Sequence, residues 1–455
     1  MEQSIKDMLA QLPAEERKTL LDAMLPKKIV FPDVSDKHAP KLTLANHKTL
    51  FTHYGITIRY NEMTKDYEID IPGKRFHKDI ELNVKIGHLR DLCHVQGLGI
   101  SELESYVTVI GGENAYHPVR DWIDAQSWDG QDRLKEWYDT VVLETPNPLK
   151  EVMMYKWALS AVAALYYDNF SCEGVLTWQS PQGVGKTIQI ENIIPREYHN
   201  VWNKDAVVID MSNKDTIFKA LGYWIAELGE VDATFRKSDM EALKGFVTEK
   251  VDVLRPPYER KANKYARRTV FYASVNELEF LQDDENRRFW VLAVRKFLHA
   301  EIDCAQFWAQ MKHCYLQVAN KIRTASEREK NQEWGWFMSP VEREQMKPLQ
   351  SNFKSVDPIE QMLDAHIIIK TGAHSVGEWM NVTEILTGLG WGKPSKRDLN
   401  TAGKWFRNNG YTPDSRKNFR VELQYPDHGY KFPGDDSKLA RVMRDKKRLD
   451  PGRDY

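Results

Sequence analysis

The chain has 455 residues, 42% hydrophobic and 29% charged, and its 64 Lys/Arg against 66 Asp/Glu leave a net charge of −2. That length allows two to four domains with cores of their own. No run of about eighteen apolar residues exists to make a membrane helix, and Met1–Asp7 lacks the apolar core of a signal peptide, so a cytoplasmic protein without a membrane partner is expected. Cys93, Cys172, Cys304 and Cys314 are scattered with no C-x-x-C pair, which fits structural thiols better than a zinc site.

Met1 to about Leu25 reads as one helix, with Ile5, Met8, Leu9, Leu12, Leu20, Leu21 and Met24 at helical spacing. Pro26 ends it, so residues 1–30 are taken as a helix and linker. Residues 31–148 read as a small α+β domain, assigned as a collar or DNA-binding element. In it, Ile56–Tyr60 and Tyr67–Ile71 alternate as a β-hairpin, and helical patterns follow around Ile80–His94 and Ser101–Val109. Pro118 suits a first helical turn.

From about Leu149 to residue 325 the pattern becomes strand–helix alternation, the signature of a parallel α/β sheet. Met153–Tyr167 is an apolar covering helix. Gly174–Gln179 is an apolar strand that breaks at Ser180-Pro181-Gln182-Gly183-Val184-Gly185-Lys186-Thr187 and resumes as a helix over Ile188–Ile194. That is the layout of a phosphate-binding loop. Gly183 and Gly185 admit close backbone approach to phosphates, Lys186 reaches the β- and γ-phosphates, and Thr187 offers a hydroxyl to Mg²⁺. Ser180 stands where the pattern asks for its first glycine.

Nucleoside triphosphate hydrolysis also needs a metal and a positioned water. Gly222–Glu230 reads as an apolar strand ending in two acids, Glu227 and, three residues on, Glu230. If the strand ends at Ala226, both acids face the crevice at the sheet's C-terminal edge, and the spacing does not say which is the base and which supports Mg²⁺. Thr269–Asn276 is a further strand ending in an amide suited to the γ-phosphate or the attacking water. Arg287-Arg288 precede a last strand, Trp290–Val294. Such arginines can stabilise transition-state charge in a neighbouring subunit, or pair with Asp283 or Asp284.

Between Thr216–Leu221 and Lys237–Thr248, both helical, and this last part of the sheet lies a basic stretch. Arg255–Arg268 holds six Lys/Arg against one Glu, with two tyrosines. It reads as two short strands around a basic tip. Cations that track phosphates and rings that stack on bases suit single-stranded DNA, which selects Arg260, Lys261, Lys264 and Tyr265. Arg255 and Arg260 have an alternative place at the nucleotide site or a subunit interface.

Ile302–Ile322 is one helix by periodicity. Residues 340–455 open with helical stretches around Ser355–Ile369 and Ser375–Leu389. A third, Ser395–Asn409, carries Lys396, Arg397, Lys404 and Arg407 beside apolar Leu399, Ala402, Trp405 and Phe406, and stops at Gly410. With Arg420–Tyr425 as a β-wing this makes a winged-helix-like domain, or else a plain helical lid. From Lys393 onward there are 16 Lys/Arg and 9 Asp/Glu, an excess of +7 ending in a basic tail.

The phosphate loop, Trp224–Glu230, Lys244-Gly245-Phe246, Asp252–Tyr258 and Asn286–Phe289, with His117-Pro118-Val119 and Trp128-Asp129-Gly130 ahead of them, resemble the virulence-associated protein E family. These are phage and mobile-element AAA+ ATPases similar to superfamily 3 helicases. The resemblance spans about Pro118 to Val294. It implies an ATP- and Mg²⁺-dependent hexameric ring in a bacterial host cell, with Lys186 and Thr187 as the phosphate-loop pair, Glu227 as Walker B acid, Asn276 as sensor 1, Arg287 or Arg288 as arginine finger, and the hairpin lining a channel for single-stranded or forked DNA. It implies a replication helicase or initiation ATPase. A loader or switch with little unwinding and an anti-phage defence ATPase are the alternatives. No primase-polymerase domain is evident, so a primase or polymerase is expected as a separate chain.

Overall fold

A strand with no polar alternation needs a neighbour on each side and cover on both faces. Val175–Gln179 has all five residues buried. The computed structural model of the chain describes residues 29–76, 81–186, 188–210, 213–229, 237–254, 262–277, 281, 287–324, 335–353, 357–367, 378–414, 416 and 418–421. The chain divides into two compact units, one of residues 1–277 and 287–349, the other of residues 278–286 and 350–455. The N-terminal helix expected over Met1–Leu25 lies outside the described residues.

In the first unit, α1 (Leu44–His53) leads into a hairpin of β1 (Thr57–Asn61) and β2 (Asp66–Asp70). Helices α2 (Glu81–Val95) and α3 (Leu103–Glu113) follow, then β3 (Ala115–Tyr116), which pairs parallel to β1. The hairpin forms as its alternation predicts, in the register Thr57 to Asp70 and Asn61 to Asp66. Leu50, Ile58, Ile69, Leu89 and Val107 fill the core beneath this small sheet.

Next come α4 (Pro118–Asp124), with Pro118 in its first turn, α5 (Leu134–Asp139), β4 (Val141–Leu143) and α6 (Lys150–Tyr166). The large sheet then assembles from β5 (Val175–Gln179), β6 (Asn203–Val207), β7 (Ile225–Leu228), β10 (Val270–Val275) and β11 (Phe289–Phe297). Between them lie α7 (Ile188–Glu191), α8 (Lys214–Ala220), α9 (Lys237–Val247) and a hairpin of β8 (Val251–Leu254) with β9 (Asn263–Ala266). The sheet order is β4-β11-β5-β10-β7-β6. The last five strands in that order are parallel, and β4 runs antiparallel to β11. Counted along the chain, the parallel strands stand in the order 5-1-4-3-2. Helix α6 covers one face and is pinned by two indoles: Trp157 donates to the Phe271 carbonyl and Trp224 to the Ala161 carbonyl, each at 2.8 Å. Helices α10 (Cys304–Thr324) and α11 (Pro340–Ser351) close the unit.

The mixed α/β class with a largely parallel sheet is as expected, with three local differences. The helix after the phosphate loop ends at Glu191 rather than Ile194. Ile193 and Ile194 close tighter three-residue turns onto Ile190 and Glu191, because Pro195 cannot continue the helix. Strand β4 joins the sheet from before residue 149. Ser375–Leu389 is not one helix: Glu378–Met380 is a strand, and the helix starts only at Val382.

The second unit contains α12 (Pro358–His366), β12 (Glu378–Met380), α13 (Val382–Gly388), α14 (Lys396–Asn408) and β13 (Phe419–Val421), with β12 antiparallel to β13. Leu363, Ile385, Leu386, Trp405, Phe406 and Phe419 form its core. The part of the expected wing after Val421 lies outside the described residues. Among the described residues of the chain, no helix is long and apolar enough to cross a membrane. All four cysteines are free; Cys93 and Cys172 are buried, and Cys304 and Cys314 are half-buried.

A buried lysine joins the small sheet to the large one. Lys65, in the β1–β2 turn with φ of 61°, is 7% exposed. Its ammonium donates to the carbonyls of Met63 and Leu221, the latter just ahead of β7. Burial pulls its pKa from 10.5 down to about 8. Between these values the unfolded chain binds more protons, so stability rises with pH from 8 to 10.5. The Lys65→Met chain is expected to lack that rise. Melting curves of the two chains across this range would contradict the assignment if they shifted in parallel.

Candidate functional site

The residues predicted to handle phosphate lie where β5 and β10 end together. Ser180, 1% exposed, continues the strand: its N–H donates to the Val275 carbonyl at 3.1 Å. It has no positive φ, whereas Gly183 and Gly185 have φ of 84° and 92°. A side chain is strained at those two positions and not at Ser180. The missing first glycine is therefore no defect in the loop. Pro181, Gln182 and Gly183 are exposed, and Val184 and Gly185 are half-buried.

Lys186 turns back across the loop. Its Nζ donates to the Ser180 carbonyl at 2.8 Å, the Val275 carbonyl at 3.2 Å and Asn276 Oδ1 at 2.6 Å. The structure thus brings together Lys186 and Asn276, residues 90 apart in sequence. Thr187 lies outside the described residues.

Glu227 is not part of this group. The strand that carries it runs on to Leu228, so Glu227 lies within the strand and is 6% exposed. The register sets Glu227 beside Tyr272, which in turn pairs with Leu176. That is three residues, about 10 Å, short of the edge at Val275. Its carboxylate accepts from the Ala206 N–H at 3.1 Å and from the Tyr272 hydroxyl at 3.4 Å. The same hydroxyl lies 3.3 Å from Asp205 Oδ1. Burial, together with the charges of Glu227 and Asp205, pushes the Tyr272 phenol well above its ordinary range and keeps it protonated. Ala206 sits at φ of 49° beside a register shift in β6. A Cβ on Gly229 would come within 3.1 Å of the Ala206 backbone. Asp205 and Tyr272 were not selected from the sequence; Tyr272 is a single polar residue inside an apolar strand run, Asp205 lies in the polar stretch Asn203-Lys204-Asp205, and neither has a motif around it. Glu230 lies outside the described residues.

Arg287 and Arg288 stand at the opposite edge of the sheet. The Arg288 carbonyl accepts from the Val175 N–H at 2.7 Å, and Phe289 pairs with Val175 while Ala293 pairs with Gln179. Four residues of extended strand, about 13 Å, separate that edge from the loop. Arg287 is exposed, and Arg288 is half-buried with its Nε unpartnered among the described residues.

The β8–β9 hairpin springs from the same edge. Lys264 pairs with Val253 and is exposed, while Tyr265 pairs with Asp252 and is half-buried. Adjacent strand residues face opposite sides, so these two do not share a surface. The Lys65 ammonium lies 5.9 Å from the Tyr265 ring. Arg260 and Lys261 lie outside the described residues. The hairpin is anchored by Arg267, which grips Asp252 through two bonds of 2.6 and 2.8 Å and donates to the Phe246 carbonyl at the end of α9 at 3.0 Å.

Residues 123–355 match the model of the virulence-associated protein E-like domain, just over half of the chain. The chain belongs to the virulence-associated protein E-like family. A comparison with curated proteins gave no match. Similar solved structures include the apo structure of the NrS-1 C-terminal region (305–718), 14% identical, with a TM-score of 0.36 and covering 84% of this chain and 98% of that one. The A-form apo structure of the same region is 13% identical, with a TM-score of 0.37 over 84% of this chain and 99% of that one. These two likenesses are distant. The family match takes in β5, the loop, β6, β7, the hairpin, β10 and β11, and so covers all the site residues selected from the sequence.

Arg267 is 0% and Asp252 3% exposed. Removing one partner of such a pair leaves a buried charge without compensation, so Arg267→Ala is expected to lose ~3–5 kcal/mol. Arg267→Met/Asp252→Leu should lose far less. Urea unfolding of the three chains checks this; equal losses in the two variants would contradict it.

Proposed function

We propose that this chain is an AAA+-type ATPase that binds ATP with Mg²⁺, assembles as a ring, a hexamer by family resemblance, and acts on single-stranded or forked DNA during replication of a phage or mobile element, alongside a separate primase or polymerase. One observation carries the reading: Lys186, which follows the two positive-φ glycines in the loop, meets Asn276 at the common end of β5 and β10. The strand order 5-1-4-3-2 supports it, because it places the Asn276 strand between the loop strand and the strand of Glu227.

The residues present fit a nucleotide triphosphate. Backbone N–H groups of the loop bind its phosphates. Lys186 exchanges Asn276 for a phosphate oxygen and neutralises charge that builds in the transition state. Asn276, released, orients the attacking water. On the sequence pattern Thr187 would hold Mg²⁺, which would supply charge neutralisation at the phosphates. Glu227, set back from the edge, acts as a strut, which leaves Glu230 to supply the acid. Arg287 and Arg288, at the far edge from their own loop, complete the site of a neighbouring copy.

The engagement of Glu227 by Ala206 and Tyr272 favours a second reading, a loader or switch that hydrolyses slowly and displaces no strand. Strand displacement on forked DNA separates the two. Lys186→Ala is expected to cut ATP turnover by a hundredfold or more, about the loss from removing one transition-state donor. Turnover unchanged in that variant would overturn the nucleotide reading.

A further inference from the structure

Among its described residues the second unit has the order helix, strand, helix, helix, strand, and the two strands are antiparallel. Helices α13 and α14 are joined by a short turn in which Gly390 and Gly392 take φ of 91° and 76°. The start of α14 is fixed by a capping box: Ser395 Oγ accepts from the Asp398 N–H at 3.3 Å, and Asp398 accepts from the Ser395 N–H at 2.8 Å. Trp391 Nε1 donates to the same carboxylate at 3.2 Å. Asp398 is the only acid in α14, and it is committed to the cap.

Two opposite faces follow from the 100° step of the helix. Ala402, Gly403, Trp405 and Phe406 are buried in the core of the unit. Arg397, Asn400, Lys404 and Arg407 are exposed. Their spacing puts them within an arc of roughly 80° on the outer side. No salt bridge among the described residues engages the three cations. The stripe has no aromatic ring to stack on unpaired bases, which single-strand binding uses. A helix about 10–12 Å across fits a major groove about 12 Å wide. Arginine matches guanine O6 and N7, and asparagine matches adenine N6 and N7, each through two bonds.

We infer that the second unit binds double-stranded DNA, with α14 in the major groove and Arg397, Asn400, Lys404 and Arg407 as the contacting residues. This role goes beyond the nucleotide site and does not depend on it. It gives the chain a sequence-reading contact besides any single-strand contact of the first unit.

The test uses the full chain without nucleotide. The probes are a mixed-sequence DNA duplex of about 30 base pairs, some three helical turns, and one of its strands alone. Anisotropy titrations compare the wild type with Arg397→Ala/Lys404→Ala/Arg407→Ala, whose sites are exposed, and equal melting temperatures check the fold. Duplex affinity should fall at least tenfold, and the slope of log K against log salt should flatten by about 0.9 for each phosphate contact removed. Single-strand affinity should hold. Selection from a randomised duplex pool should yield a preferred sequence that loses an adenine preference in Asn400→Ala. A wild type that does not bind the duplex, a triple variant that binds it equally well, or an equal loss for duplex and single strand would each overturn the inference.

Discussion

The architecture of the first unit depends on the burial of β5 between two parallel neighbours. All five of its residues are buried, so it must be central, and parallel pairing with β10 and β11 sets every end on a known side. A slip of one residue would exchange the side chains of β5 between its two covered faces and misplace each of them. The loop and Asn276 therefore emerge together at one edge. Arg287, Arg288 and the hairpin lie at the other. The sheet itself separates Arg287 and Arg288 from the loop of their own chain, and on the proposed reading two copies of the chain are the simplest way to bring them together.

The same register sets Glu227 back from the edge. Its carboxylate is bound in the sheet by a peptide N–H in a left-handed conformation and by a phenol shared with Asp205. Positive φ at an alanine costs energy, and here it aims a donor at a buried carboxylate that would otherwise be uncompensated. Removing Glu227 would thus disturb β6 and β10 as much as any reaction. A loss of activity in a Glu227 variant does not by itself make Glu227 a catalytic residue.

Much of this was legible in the sequence. Apolar runs located β5, β7, β10 and β11, and the loop motif located Lys186 and its glycines. Asn276 followed from the polar end of a strand. What was hidden depends on partners remote in the chain. Strand β6, Asn203–Val207, is polar at an edge and shows no run to detect. The burial of Glu227 is set by Tyr272 and Ala206, on two other strands. The separation of Lys264 from Tyr265 follows from the pairing of β8 with β9, not from their adjacency in a basic stretch. In the second unit the strand before α13 was read as helix, because Glu378-Trp379-Met380 is too short to show a period of two.

The claim that the site is completed between copies is tested most directly by subunit mixing. Lys186→Ala and Arg287→Ala/Arg288→Ala chains are each expected to be inactive in ATP hydrolysis alone. Mixed in equal amounts and allowed to reassemble, they should recover up to about a quarter of wild-type turnover, since that share of head-to-tail interfaces joins an intact loop to intact arginines. A mixture as inactive as its two components, with assembly intact by sizing, would contradict the account.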